Sequence, residues 1–195
     1  MAEEISRYRH SEYPIEGLFL RRWSPRAMSG EAVDEASLMR LFEAARWAPS
    51  SYNNQPWRFL YARRDTAHWQ TFYDLLVEAN RQWAGNAGAL LAILAKTTFD
   101  NGAPSVTHAL DTGSAWQNLA LQGTAMGLVV HGMEGFDYAR AGTTLGVPAD
   151  YAVLAMAAVG WPGRVEDLPA PLQAREKPSD RKAVREIAFE GPFPP

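Results

Sequence analysis

The sequence predicts one α+β or α/β domain built on a four-stranded sheet flanked by helices. Three observations predict it. Segments with a helical repeat of apolar residues alternate with short runs of strand character. One of those runs, GALLAILAK, is apolar on both faces, as a strand at the centre of a sheet must be. The 195 residues, 47% hydrophobic and 11% aromatic, suffice for one sizeable core and show no internal repeat or low-complexity tract.

In VDEASLMRLFEAARWAP, Leu38, Leu41, Phe42 and Ala45 fall at i, i+3, i+4 and i+7 on one helical face, acidic residues lead, and Pro49 ends the helix. WRFLYARR, residues 57–64, then alternates like a strand with one wet side. HWQTFYDLLVEANRQW carries Trp69, Phe72, Leu76 and Trp83 on one face and predicts a single second helix before GALLAILAK. Asp111 is the candidate cap of a third helix, TGSAWQNLALQGTAMG, whose face mixes Ala115, Leu119 and Met126 with small residues. That helix is nearly free of charge and should be buried almost all round. GLVVHGM and YAVLAMAAVG predict two more strands, with the short helix DYARAGTTLG between them and Gly146-Val147-Pro148 as its stop. From Trp161 to Ser179 the prolines at 162, 169, 171 and 178 leave no helix or strand period. An extended arm over 161–182 is expected there rather than a second domain, so residues 1–195 read as one domain.

Composition excludes several functions. A net charge of −3 gives no field for nucleic acid or for an anionic membrane. Cysteine is absent, which removes disulfides, thiol nucleophiles and cysteine zinc sites together and suits a reducing cytoplasm. The charged start MAEEISRYRH has no apolar signal core, and the longest apolar run, Ala87 to Ala95, is far short of the roughly 18 residues of a membrane span. No GxGxxG, GxxxxGK[ST] or GxSxG signature occurs. The four histidines, His10, His68, His108 and His131, lack metal-ligand spacing, so no metal is expected, and His131 reads as a hydrogen-bonded core residue. Chemistry here calls for a cofactor.

Two stretches point to one. APSSYNNQPWRF places two serines, two asparagines and a glutamine just past a helix, more hydrogen-bonding groups than a turn needs. LFLRRWSPRAM brings Arg22, Ser24 and Arg26 within five residues, and guanidinium forks match phosphate oxygens two at a time. Arg181 and Lys182 in PSDRKAVREI form a second basic cluster that can close on the same anion.

Taken in order, RWSPR, APSSYNNQPWRF, DTGSAWQNLALQGTAMGL, HGMEGFD and PSDRK resemble the FMN-dependent nitroreductase family over nearly the whole chain. The resemblance implies an α+β fold with a central, mostly antiparallel sheet flanked by helices, and a homodimer that exchanges its C-terminal arm. It implies FMN with its phosphate and ribityl chain on Arg22, Ser24 and Arg26, completed by Arg181 or Lys182. Ser50, Ser51, Asn53 and Gln55 would reach the flavin from the neighbouring subunit, where amides can both donate and accept along the ring's polar edge. Glu134 and Gly135 match the position where a backbone amide meets the ring, and Asn80 a further flavin contact. Trp83 stands where other members carry lysine, which leaves Arg26 as the candidate to balance charge on the reduced ring. The implied activity is an FMN-dependent NAD(P)H oxidoreductase reducing nitroaromatics, quinones or activated alkenes by a ping-pong hydride mechanism, with NADH or NADPH as donor. The alternatives are a flavin-fragmenting or reductively dehalogenating member of the same superfamily, and a non-catalytic FMN-binding or storage protein.

Overall fold

The structure of the protein, a computed structural model, describes residues 5–194; Met1 to Glu4 and Pro195, which the single-domain expectation includes, lie outside the described residues. Along the chain come α1 (Gly17–Arg21), α2 (Glu35–Arg46), β1 (Trp57–Arg63), α3 (Trp69–Tyr73), α4 (Glu78–Ala84) and β2 (Ala89–Lys96). They are followed by α5 (His108–Ala125), β3 (Val129–Met133), α6 (Tyr138–Thr144), β4 (Tyr151–Gly160) and α7 (Ala170–Gln173).

The strands form one sheet in the order β1-β2-β4-β3, with every neighbouring pair antiparallel. β2 is central as expected and buried along nearly its whole length. Because side chains alternate along a strand, Leu90, Ala92 and Leu94 join a core with Phe72, Leu76 and Trp83 on one face. Ala89, Leu91 and Ile93 join another with Leu38, Leu41, Ala115 and Leu119. The sheet is thus sandwiched, with α2 and α5 on one side and α3, α4 and α6 on the other. Among the described residues no helix is long and apolar enough to cross a membrane.

Local chemistry sets the boundaries. Asp34 caps α2 by accepting from the Ser37 N–H at 2.6 Å. α6 stops in a Schellman motif: Gly146 takes φ 62°, its N–H bonds Thr143 O, and the Val147 N–H bonds Gly142 O at 2.9 Å.

Four expectations change. The single helix over HWQTFYDLLVEANRQW is two short ones, because the backbone at Leu75–Val77 pairs across to the β3–α6 connection. Leu76 bridges to Phe136, Val77 N–H donates to Gly135 O at 3.1 Å, and Asp137 N–H donates to Leu75 O at 2.9 Å. Phe72, Leu76 and Trp83 still share one core. Asp111 does not cap α5, which begins three residues earlier behind Thr107. Its buried carboxylate instead accepts from the Ser51 N–H at 3.1 Å and the Thr107 hydroxyl at 3.2 Å. Nor is α5 buried all round, since Leu110 at its start is 71% exposed and Gly113 and Gln117 face outward. Finally, the arm over 161–182 contains a 3₁₀ turn at Val165–Asp167 and the one-turn α7. It folds back on its own chain: Ser29 N–H bonds Trp161 O, and Gly163 N–H bonds Ala27 O, both at 3.0 Å.

Candidate functional site

The chain leaves α1 at Arg22 in an extended conformation (φ −71°, ψ 111°). Arg22 Nη1 donates to Ser24 Oγ at 3.2 Å. Together with Arg181 these two line a cavity of about 470 Å³, walled otherwise by Phe19, Trp116, Gln117 and Gly132 of the edge strand β3. No carboxylate lines it. The structure therefore brings Arg22 and Ser24 of the first basic cluster together with Arg181 of the second.

Arg9, which the sequence reading did not single out, organises this meeting. Its side chain is buried, and Nη1 donates to the carbonyls of Leu20 at 2.9 Å and Arg22 at 2.5 Å. Its Nε donates to the Ser179 carbonyl at 2.9 Å, 170 residues away in sequence. Arg181 Nη1 bonds the same residue, meeting Ser179 O at 3.1 Å and Ser179 Oγ at 3.2 Å. Burial lowers the pKa of Arg9, and the charges of Arg181 and Arg22 lower it further, against Asp180. Burial also lowers that of Arg22, with Arg181 adding to it. Like charges gathered this closely repel one another, and a phosphate dianion would relieve them.

Arg26 does not line the cavity. The Arg26 and Ala27 N–H groups both donate to Glu176 Oε1, the second at 2.8 Å, and Arg26 Nη1 lies 3.6 Å from the buried Glu176 Oε2. Its charge is answered by the arm. Lys182 is exposed and also outside the cavity lining, so of the pair only Arg181 reaches it.

Behind this strip, His131 Nδ1–H donates to the Pro25 carbonyl at 2.8 Å, and its ring lies 4.5 Å from the Trp83 ring. It is the hydrogen-bonded residue the sequence predicted. Burial lowers its pKa below the ordinary 6.5, Arg26 adds to this, and the Pro25 carbonyl opposes it. The unfolded chain therefore takes up a proton here at a higher pH than the folded one. Stability is present above the ordinary histidine pKa and falls as pH drops through it toward the folded value. His131→Asn, which keeps a donor for Pro25, should flatten the loss of melting temperature between about pH 7 and pH 5 relative to the parent. Thermal melts across that range check it, and an unchanged slope would show that the ring charges freely in the fold.

The polar loop is built on left-handed backbone. Ser51–Asn53 make a 3₁₀ turn in which Tyr52 has φ 50° and Asn53 φ 56°, followed by Gln55 at φ 48°. Asparagine tolerates this region; tyrosine and glutamine are strained in it. Ser50 Oγ accepts from the Gln55 N–H at 3.0 Å, and Gln55 Nε2 donates to Asn53 O at 3.2 Å. Ser50 and Ser51 thus serve the turn, whereas the Asn53 amide meets no partner among the described residues. The loop faces a second, separate groove that shares no lining residue with the cavity at Arg22. Within one chain, Ser50, Ser51, Asn53 and Gln55 are not brought to Arg22, Ser24 and Arg181.

Gly135 sits at the end of β3, beside the exposed Glu134. Asn80 Nδ2 donates to its carbonyl at 2.9 Å, so Asn80 fixes this turn. A Cβ on Gly135 would fall 2.7 Å from Asn80 Nδ2 and 2.9 Å from Val77 Cγ2, which is why glycine is needed there. Among the described residues no acceptor meets the Gly135 N–H.

Known proteins share this arrangement of sheet and helices. A solved structure of an oxidoreductase containing FMN superposes with a TM-score of 0.92 at 42% identity, covering 95% of this chain and 96% of that one. Protein DrgA of Synechocystis is 34% identical over 158 residues, 67% of this chain and 74% of the relative. The 5,6-dimethylbenzimidazole synthase of Rhodospirillum rubrum is 28% identical over 179 residues, 80% of this chain and 85% of the relative. The model of the nitroreductase family matches residues 20–161, from the end of α1 through the last strand, and the chain belongs to that family.

Proposed function

We propose that the protein is an FMN-dependent oxidoreductase that takes electrons from NADH or NADPH. It would pass them to a small electron-poor acceptor, a nitroaromatic, quinone or activated alkene, in alternating half-reactions. The observation that carries this reading is the convergence of Arg22, Ser24 and Arg181 on a cavity without a carboxylate. The bound FMN supplies the two-electron chemistry that no side chain of this cysteine-free protein offers. Arg22 and Arg181 hold its phosphate, with the Ser24 hydroxyl as a further donor. The unengaged Gly135 N–H is the fixed dipole assigned to the ring, and Asn80 holds that peptide in place. Arg26 stays outside this cavity, its charge paired with Glu176 of the arm.

The separation of the polar loop from the cavity supports a homodimer in which Asn53 and Gln55 are donated to the partner's flavin. The exposed Val106, just before α5, and Leu110 in its first turn supply apolar surface for it. Past the arm, the exposed Ile187, Phe189 and Phe193 supply a tail to exchange. The absence of cysteine fits a cytoplasmic protein. Light scattering and absorbance on one column run test both points, with a yellow dimer carrying about one FMN per chain expected. Anaerobic titration with NADH and NADPH should bleach it; a colourless protein that refuses added FMN would end the reading.

The strained loop dictates how its role is tested. Alanine at Asn53 and Gln55 would mix lost contacts with backbone strain, because both residues have positive φ. Glycine removes the side chains and keeps the conformation. The double variant Asn53→Gly, Gln55→Gly should weaken FMN binding by roughly tenfold or more, from unpaired ring groups. Apo-protein melting should barely move, and normal FMN binding with a lowered melt would make the loop purely structural.

A second reading rests on the similarity to the 5,6-dimethylbenzimidazole synthase. That product shares the dimethylbenzene ring and its two adjacent nitrogens with a flavin, so the alternative is fragmentation of FMN itself. Chromatography of reduced, FMN-loaded protein after exposure to oxygen separates the two: the redox reading expects intact FMN, the other a benzimidazole.

A further inference from the structure

The groove beside the polar loop, about 840 Å³ in volume, holds more than amides. Tyr52 stands at its mouth with 94% of its surface exposed, held outward by its left-handed backbone. Its ring meets Phe99 edge-on at 6.0 Å, so two aromatic side chains border one open space. Within one chain the edge-on contact with Phe99 is the only ring contact of this strained tyrosine among the described residues, and strain of this kind collects at ligand sites.

Arg58 lines the same groove from the start of β1. Its Nη1 donates to the carbonyls of Gln55 at 3.0 Å and Trp57 at 2.7 Å, and its guanidinium carbon lies 6.0 Å from the centre of the Tyr151 ring. Those contacts orient the fork through one nitrogen. Among the described residues no carboxylate pairs with it. The acid that lines the groove, Asp100, is taken by Lys96 Nζ at 3.0 Å. The groove thus offers aromatic faces, neutral amides and one oriented, unpaired cation.

We infer that this groove selects the substrate, and that it takes planar aromatic acids, with the ring against Tyr52 and Phe99 and the carboxylate on Arg58. A guanidinium fork matches a carboxylate with two donors, and the aromatic walls accept a flat ring from either face. The substrate role rests on the reading above that the polar loop meets a partner's flavin. The selectivity for anions rests on the groove alone.

Calorimetry on the protein as purified, with benzoate against benzyl alcohol, reads the anion preference without any turnover. Benzoate should bind tighter by roughly tenfold, as expected of a charge-assisted pair at a partly exposed site. Arg58→Gln should erase that preference while leaving benzyl alcohol unchanged, Arg58→Lys should restore part of it, and Tyr52→Gly should weaken both ligands. In turnover, kcat/KM for 4-nitrobenzoate over 4-nitrobenzyl alcohol should follow the same order. Equal binding of the two ligands by the parent protein, or a preference untouched in Arg58→Gln, overturns the inference. Yellow protein that oxidises NADH yet shows no anion preference would sink this inference alone. Colourless protein that still prefers benzoate would sink the redox reading, and with it the assignment of the groove to a substrate.

Discussion

Arg22→Ala is expected to weaken FMN binding by roughly ten- to a hundred-fold, the loss of a charge-assisted pair worth about 1.5–3 kcal/mol. The flavin-free protein should melt no lower than its parent. Within the fold the Arg22 guanidinium makes one hydrogen bond, to Ser24, and is pushed toward its neutral form by burial and by Arg181. Its charge is therefore a burden until an anion arrives, and removing it relieves Arg9 and Arg181. The combination separates a ligand-binding arginine from a structural one. Fluorescence titration of apo-protein with FMN gives the first quantity and a thermal melt the second. Unchanged FMN affinity would move the phosphate elsewhere; a much lower apo melt would make Arg22 part of the scaffold.

The opposite pattern is expected at Arg9. Arg9→Met keeps the bulk of the side chain and strips the donors from three carbonyls, those of Leu20, Arg22 and Ser179. Some of those groups will find water, so the expected loss is roughly 2–4 kcal/mol rather than the full sum. For a domain of this size that lowers the melting temperature by about 5–15 °C. FMN affinity should fall with it, since Arg22 and Arg181 lose their common anchor. Arg9→Lys, which keeps the charge and fewer of the bonds, should land between. An Arg9→Met protein that melts like its parent would show that α1 and the arm stay together without this residue.

Arg9 also marks where sequence reading stopped. Local pattern was enough to find β2, whose apolar run has no polar face to misplace, and the Asp34-capped helix, whose stripe and stop sit side by side. Arg22, Ser24 and Arg181, which the structure brings to one cavity, could be singled out because basic clusters are residue types that stand out in a sequence. Arg9 bonds only backbone carbonyls, and Glu176 only the Arg26 side chain and two backbone N–H groups. Carbonyls and N–H groups occur throughout a chain and leave no signature for a partner 150 or more residues away. The break between α3 and α4 was hidden for a different reason. Leu76 keeps its place in the apolar stripe on either side of the break, so the helical pattern runs on through backbone that is not helical. The left-handed loop was read as polar chemistry, and its conformation, set by Ser50 and Asp111, was invisible beforehand.

The 170-residue span between Arg9 and Ser179 sets a clock on assembly. At synthesis rates of about 5–20 residues per second, the N-terminal half of the cradle waits roughly ten to thirty seconds for the segment that completes it. Sheet and helices can pack during that interval, but the charges that would grip a phosphate are not yet together. On the function proposed above, cofactor loading would have to wait for the Ser179 segment, and a ribosome that stalls short of it would leave a polypeptide holding most of its core without the second half of the phosphate cradle.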